Sequence, residues 1–285
     1  MQKVIVILGQ TATGKSALAV KIAKLINGEV ISADSRQVYK GLDVGTGKIT
    51  KKEMKGIPHH LLDVAEPKKK FTVALYKKLA DKTIREILGR GKTPIICGGT
   101  GFYLDAVTSG VVLPEVPPNP KLRKILEKKS IEELFKILKK LDSNRAKNID
   151  AKNKVRLVRA IEIAKHLGKV PPIKQEKPKY HFIKIGLNLP INKLEKKVKL
   201  RVGQMFKAGL LKEIKKLKTD GISDKRLKEF GFEYFNPTKD GVIIDTIKYA
   251  KRQMTWFKRD ENVKWFTPDE YSKIKKYVID SMGNK

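Results

Sequence analysis

Apolar residues follow two rhythms along this chain, and the order in which they alternate predicts an α/β fold. Short apolar runs at 3–8, 29–33, 93–97 and 182–189 read as strands buried on both faces. Between them the spacing turns helical, from Lys15 to Leu25 and from Phe71 to Gly89, where Leu75, Leu79, Ile84 and Leu88 share a stripe. Strands and helices in this order predict a parallel sheet with helical crossovers. Beyond residue 190 the pattern is mostly helical, at 191–217, 224–234 and 240–259, before a short strand at 263–266. In the 240–259 helix, Ile243, Ile247, Ala250, Met254 and Phe257 recur at steps of four and three and predict a core-facing stripe. A third of a turn away, Lys248, Arg252, Thr255 and Arg259 form a second row, which reads either as a solvated face or as a lining for phosphates.

The middle of the chain breaks this pattern. Leu113 to Pro120 contains four prolines, and from there to Gly168 the chain is helical without a strand-like run. A second proline and lysine cluster follows at 170–179. The expected organisation is a core built from residues 1–114 and 181–285 that carries an all-helical insertion at 115–180. Residues 119–179 hold nineteen Lys or Arg against seven Asp or Glu, so the insertion is itself basic and suited to a phosphate backbone.

Composition narrows the partners. Sixty-three Lys and Arg against thirty Asp and Glu give a formal charge of +33, a field that attracts polyanions. A lysine-rich bias on solvated faces would produce the same total, so the placement of the charges carries more weight than their sum. The single cysteine, Cys97, excludes a disulfide framework and Cys-based zinc sites. No window is apolar for long enough to span a bilayer, and no charged leader precedes the first strand, so a cytoplasmic protein is expected. No dimer signature is visible, and a monomer is expected.

The strongest local signal is Gly9-Gln10-Thr11-Ala12-Thr13-Gly14-Lys15-Ser16, a phosphate-binding loop between a strand and a helix. Its backbone N–H groups and the helix N-terminus face an anion, Lys15 adds a charge, and Ser16 can hold Mg2+. The fold class is therefore a P-loop NTPase-like parallel sheet flanked by helices. The loop identifies phosphates and leaves the reaction open. Asp34, at the carboxyl end of the second long strand, reads as a magnesium carboxylate, as a general base, or as a turn former. After the third, Cys97-Gly98-Gly99-Thr100 offers Thr100 to a phosphate oxygen but no second carboxylate, which weakens an ATP-hydrolysing reading. His59 and His60 lack metal-ligand partners at useful spacing and read as structural.

Taken together, GQTATGKS at 9–16, Asp34-Ser35-x-Gln37-Val38-Tyr39 with GLDVGT at 41–46, IPHHLLD at 57–63, GGTGFY at 98–103 and KRQMTWF at 251–257 resemble the tRNA dimethylallyltransferase family. The resemblance runs in family order across nearly the whole chain. It implies transfer of a dimethylallyl group from dimethylallyl diphosphate to N6 of the adenosine 3′-adjacent to a tRNA anticodon. It further implies that Asp34 accepts the N6 proton, that Thr100 contacts the oxygen bridging carbon and diphosphate, and that Lys15, Arg201 and Ser16 with Mg2+ neutralise the leaving group. RNA contacts carried over in the same way are Asp34, Ser35, Arg36, Gln37 and Thr100, then Arg123, and the block Val155, Arg156, Leu157, Val158 and Arg159 in the insertion. Arg156 and Arg159 are three apart, hence neighbours on a helix, and read equally as surface charges.

Two positions depart from the family pattern. Lys197 stands four residues before Arg201 where the family commonly has arginine, which loses a bidentate fork. Phe230-Gly231-Phe232-Glu233 replaces a segment that usually ends in a base, so no RNA contact is carried to Glu233. The zinc-finger extension of eukaryotic relatives is not found in this sequence. The competing readings are a P-loop small-molecule kinase, an adenylate isopentenyltransferase acting on a free nucleotide, and a non-enzymatic RNA-binding protein; the basic insertion speaks against the first two.

Overall fold

A computed structural model describes residues 1–112, 114–172 and 176–283. Leu113, at the head of the proline-rich segment, residues 173–175 of the second proline and lysine cluster, and the last two positions of the expected core lie outside the described residues.

The chain divides into two compact units, one made of Met1–Gly110 with Lys177–Lys285 and the other of Val111–Glu176. The discontinuous unit is built on a parallel sheet. In chain order its elements are β1 (Lys3–Gly9), α1 (Lys15–Leu25), β2 (Gly28–Ser32), α2 (Lys51–Met54), β3 (His59–His60), α3 (Val73–Gly89), β4 (Thr93–Cys97) and α4 (Gly101–Thr108). The strands lie in the order β3-β2-β4-β1, and β1 is also paired on its other edge, as given below. Parallel register aligns Ile5, Val6 and Ile7 of β1 with Ile95, Ile96 and Cys97 of β4.

The continuous apolar runs are explained by burial on both faces. Alternation along β1 sends Val4, Val6 and Leu8 into one core with Ile31, Tyr76 and Ile84, and Ile5 and Ile7 into another with Leu18, Ile22 and Ile95. On α3 the buried residues are Tyr76, Ala80, Thr83, Ile84 and Ile87; of the expected stripe Ile84 is buried, Leu79 and Leu88 pack partly buried against the core, and Leu75 is exposed. β3 was not expected. It is two residues long and holds no apolar residue, and its histidines serve structure: His60 Nε2 lies 2.7 Å from Glu29 Oε2, and His59 Nδ1 lies 2.8 Å from the Ile57 carbonyl.

Among the described residues the named elements of the second unit are helices: α5 (Pro120–Leu126), α6 (Ile131–Leu141), α7 (Ser143–Lys147) and α8 (Lys154–Leu167). Its core holds Leu126, Leu134, Leu138, Ala146, Leu157, Val158, Ala160 and Ile161. Ser130 and Glu133 close a reciprocal capping box on α6, which fixes where that helix starts.

The chain then returns to the first unit with β5 (His181–Leu187), α9 (Ile191–Lys207), α10 (Leu210–Thr219), α11 (Asp224–Phe230), α12 (Lys239–Phe257), β6 (Val263–Phe266) and α13 (Tyr271–Gly283). β5 pairs with β1 over seven positions and β6 with β5, both parallel. The single helix expected over 191–217 is two, because Gly209 takes a φ of 99° and turns the chain between α9 and α10. On α12, Ala250, Met254 and Phe257 are buried, and Ile243 and Ile247 pack partly buried at its N-terminal half.

Candidate functional site

At the carboxyl ends of β1, β2 and β4 the loops surround a cavity of about 900 Å³, lined by Lys15, Ser16, Asp34, Arg36, Gln37, Thr100 and Arg201 among others. All of these belong to the first unit. The parallel sheet explains the convergence, because each of those strands releases its loop on the same edge.

The loop after β1 turns tightly into α1. Gly14 takes a φ of 88°, left-handed backbone that glycine adopts without steric cost, and α1 begins directly after it. The Thr13 hydroxyl and the Lys15 ammonium both donate to the Gln10 carbonyl, at 2.8 and 2.5 Å. Two glutamine side chains brace the loop from outside. Gln10 Oε1 accepts from the Leu189 N–H at 2.9 Å, and Gln253 Oε1 accepts from the Thr11 N–H at 2.8 Å while its Nε2 donates to the Gly99 carbonyl at 2.8 Å. Gln253 thus ties the loop after β1 to the loop after β4.

Asp34 is oriented by its own backbone: Oδ1 accepts from the N–H of Arg36 at 2.8 Å and of Gln37 at 3.3 Å. The turn-forming reading and the cavity-facing reading therefore hold together. Thr100 Oγ1 accepts from the Ser35 N–H at 3.0 Å and donates to Ser35 Oγ at 3.4 Å, which holds the β2 and β4 loops side by side. Arg201, from α9, donates through Nη2 to the Thr46 carbonyl at 2.9 Å, and Gln37 Nε2 donates to the same oxygen at 3.3 Å.

Burial is the main influence on the charged groups of the cavity. Burial lowers Lys15 to about 8, with the charge of Arg201 adding to the effect and Asp34 opposing it. Burial lowers Arg201 as well, against the pull of Asp34 and Glu233. Glu233 also lines the cavity, and burial together with Asp34 pushes its carboxyl up to about 7 despite Arg36 and Arg201. Cys97 lies at the cavity wall, where burial pushes its thiol up to about 12 and leaves it inert.

Whether the cavity suits a magnesium ion follows from its donors. Among the described residues no cluster of three His, Cys, Asp or Glu could cage a metal. Mg2+ is commonly held by one or two protein oxygens, water and substrate phosphates, and the Ser16 hydroxyl in the cavity lining fits that pattern.

The insertion's expected contacts separate into two kinds. Val155 and Arg156 are exposed on α8, and Arg156 Nη1 lies 3.7 Å from Asp150. Leu157 and Val158 are core positions, 0% and 7% exposed in the helical unit, because the helix turns their side chains inward. Arg123 and Arg159 are engaged within the unit. Arg123 donates to both Glu162 oxygens, at 2.9 and 2.7 Å, and Arg159 donates to Glu162 and to the Val116 carbonyl. Burial opposes ionisation of Glu162, but Arg123, the Asn119 N–H and Arg159 hold its carboxyl down at about 2. The row on α12 divides between the two readings given for it. Only Arg252 reaches the cavity, while Lys248 pairs with Asp245 at 3.5 Å and Arg259 stacks on Trp256.

Several contributors were missed from the sequence. Gln253 stood inside the KRQMTWF segment with no role; its place among the apolar positions Ala250, Met254 and Phe257 was the available signal, and it is buried. Tyr249 carried no independent signal and Glu233 stood out only as a departure from the family pattern; both line the cavity.

Comparison with known proteins completes the picture. The sequence model of the IPP transferase family matches residues 37–260, and that of isopentenyl transferase matches residues 2–69. A tRNA dimethylallyltransferase of Carboxydothermus hydrogenoformans is 39% identical over a 306-residue alignment that covers 99% of this chain and 98% of the relative. One from Anoxybacillus flavithermus is 40% identical, covering 93% and 90%. Among solved structures, the tRNA isopentenylpyrophosphate transferase of Bacillus halodurans superposes with a TM-score of 0.73 at 36% identity, covering 98% of this chain and 96% of that one. A eukaryotic dimethylallyltransferase acting on tRNA gives 0.78 at 26% identity, covering 94% and 74%.

Proposed function

The chain belongs to the IPP transferase family, and from that premise we propose that its cavity joins a dimethylallyl group to N6 of the adenosine 3′-adjacent to a tRNA anticodon, releasing diphosphate. The observation that carries this reading is the placement of Asp34 and Thr100 in one cavity with the phosphate cradle and Arg201, where β4 ends in Cys97 without the carboxylate expected of a triphosphatase.

An exocyclic amine is a weak nucleophile, so the barrier falls chiefly by stabilising the charge that grows on the departing diphosphate. N6 attacks the first carbon of the prenyl chain, the carbon–oxygen bond breaks, and both electrons of that bond leave with diphosphate. The backbone N–H groups of Gly14, Lys15 and Ser16, together with the Lys15 and Arg201 side chains, are the donors that would meet that charge. Both cations are held by carbonyl oxygens, so their charge remains available. The proton on N6 becomes acidic only as the new bond forms, and the carboxylate of Asp34, fixed by two backbone N–H groups, takes it. Thr100 meets the bridging oxygen once its hydroxyl turns from Ser35, a weak bond at 3.4 Å. Ser16 would hold Mg2+, which supplies further neutralisation of the diphosphate. Arg36 and Gln37 stand beside Asp34, where the base would enter after leaving its stack, and an anticodon loop makes that extrusion cheap.

No helix among the described residues is long and apolar enough to cross a membrane. The reading places the enzyme in the cytoplasm, as a monomer, with tRNA and dimethylallyl diphosphate as partners. The basic insertion favours tRNA over a free adenylate as acceptor. Mass analysis of tRNA nucleosides from cells with and without this gene tests the assignment. Loss of isopentenyladenosine without the gene is expected; an unchanged nucleoside profile would remove it.

A further inference from the structure

The loop that carries the Thr46 carbonyl is shaped from a distance. Glu213, on α10, accepts three successive backbone N–H groups: Asp43 and Val44 donate to Oε2 at 2.9 and 2.7 Å, and Gly45 donates to Oε1 at 3.0 Å. Consecutive N–H groups converging in this way form a nest, a concavity that binds an anion. Here the anion belongs to the protein. The buried Tyr234 hydroxyl donates to the same Oε1 at 2.8 Å and holds the carboxylate in the nest.

The other end of that loop meets the cavity. Thr46 offers one carbonyl to both Arg201 and Gln37, at 2.9 and 3.3 Å. Two glycines make the approach possible: a Cβ on Gly45 would lie 2.6 Å from the Tyr234 ring, and one on Gly47 would lie 2.3 Å from Arg201 Nη2. The contacts run without interruption from Glu213, through residues 43–47, to the guanidinium of Arg201.

We propose that Glu213 is a positioning residue for the transfer reaction: by filling the nest at 43–45 it sets the Thr46 carbonyl, which aims Arg201 at the diphosphate and Gln37 at the incoming base. The idea rests on the diphosphate role given to Arg201 above. Without the carboxylate, three N–H groups lose a charged acceptor, the loop relaxes, and the carbonyl no longer fixes the guanidinium. Glu213 touches neither substrate, so its whole influence on anion binding passes through Arg201.

A double-mutant cycle read by calorimetry with inorganic diphosphate tests this on the full chain, using wild type, E213Q, R201A and the double variant. E213Q is expected to weaken diphosphate binding roughly tenfold in the wild-type background and less than about twofold when Arg201 is already alanine. Equal losses in both backgrounds, or no loss in the first, would overturn the proposal, since a general support of the fold would not depend on Arg201. Y234F repeats the cycle with a smaller change, about threefold, and decides the matter if E213Q does not fold. Prenyl transfer by the wild type is assayed alongside. Diphosphate binding with no transfer would count against the proposed reaction, and the cycle would still decide the role of Glu213.

Discussion

The cavity at the sheet edge and the arginine cluster of the helical unit both gather cations, yet they use them in opposite ways. In the cavity, Lys15 and Arg201 are steered by backbone carbonyls, which accept a hydrogen bond without cancelling the charge. In the helical unit, Arg123 and Arg159 converge on Glu162, a carboxylate with 1% side-chain exposure. A carbonyl-steered cation remains free to meet a ligand's charge, whereas a carboxylate-paired one has spent much of its own on the fold. The same residue type therefore reads as binding machinery in one place and as a structural tie in the other.

The sharpest way to break the comparison is to remove the group that gives the cavity its chemistry. Asp34→Asn is expected to lower turnover by roughly 100- to 10,000-fold, the usual span of a general base, and to keep tRNA affinity within a few-fold. Steady-state kinetics and a binding titration check both halves, and unchanged turnover would take Asp34 out of the mechanism.

Removing the anchor of the other region has a different signature. Glu162→Ala leaves two arginines without their shared partner, and since both are about a third exposed the loss should be near the low end for buried pairs, about 2–3 kcal/mol by urea unfolding. The pH dependence follows the same pair. Glu162 is held at about 2 against an ordinary value of 4.5, so its stabilisation is complete above roughly 4.5 and is lost as pH falls toward 2. An acid titration of the variant should be correspondingly flatter.

Lys15 gives an intermediate effect at the opposite end of the pH scale. It is lowered to about 8 in the free protein, so it is a cation below that value and neutral above it. Diphosphate affinity should fall with rising pH from about 8, by at most about tenfold per unit, before levelling off. Lys15→Arg stays charged and should remove the fall, even if affinity drops overall.

The smallest expected effect concerns the exposed face of α8. Arg156→Ala should flatten the dependence of log tRNA affinity on log salt by roughly one unit, with stability unchanged within about 0.5 kcal/mol. Arg159→Ala should instead lower stability, because its guanidinium is engaged by Glu162 and Val116. If the two substitutions behave alike, the distinction between an exposed arginine and one engaged by the fold fails for this unit.

Much of this arrangement was legible in the sequence where the signal is local. The phosphate loop needs glycines, a lysine and a following helix within eight residues, and Asp34 and Thr100 each follow a strand directly, so the chain order brings them to one edge. Other features were hidden because they arise when distant segments meet. Glu213 and Tyr234 act on a loop 168 and 189 residues away in sequence, counting from Gly45. Gln253 looked like one polar residue on a helix until its 5% exposure placed it between two loops. The block at 155–159 splits between exposed and buried positions for a periodic reason, since a helix cannot present five consecutive side chains on one face. β3 escaped notice because two histidines carry no apolar signal.

The central claim is that the cradle grips the diphosphate leaving a prenyl carbon while Asp34 relieves the base of a proton. Incubating the purified protein with tRNA and either carbon-labelled dimethylallyl diphosphate or γ-phosphate-labelled ATP tests it most directly. Label in N6-modified adenosine from the first donor and none transferred from the second is the predicted result. Phosphate transferred from ATP to an acceptor, with no prenyl label entering the RNA, would contradict it.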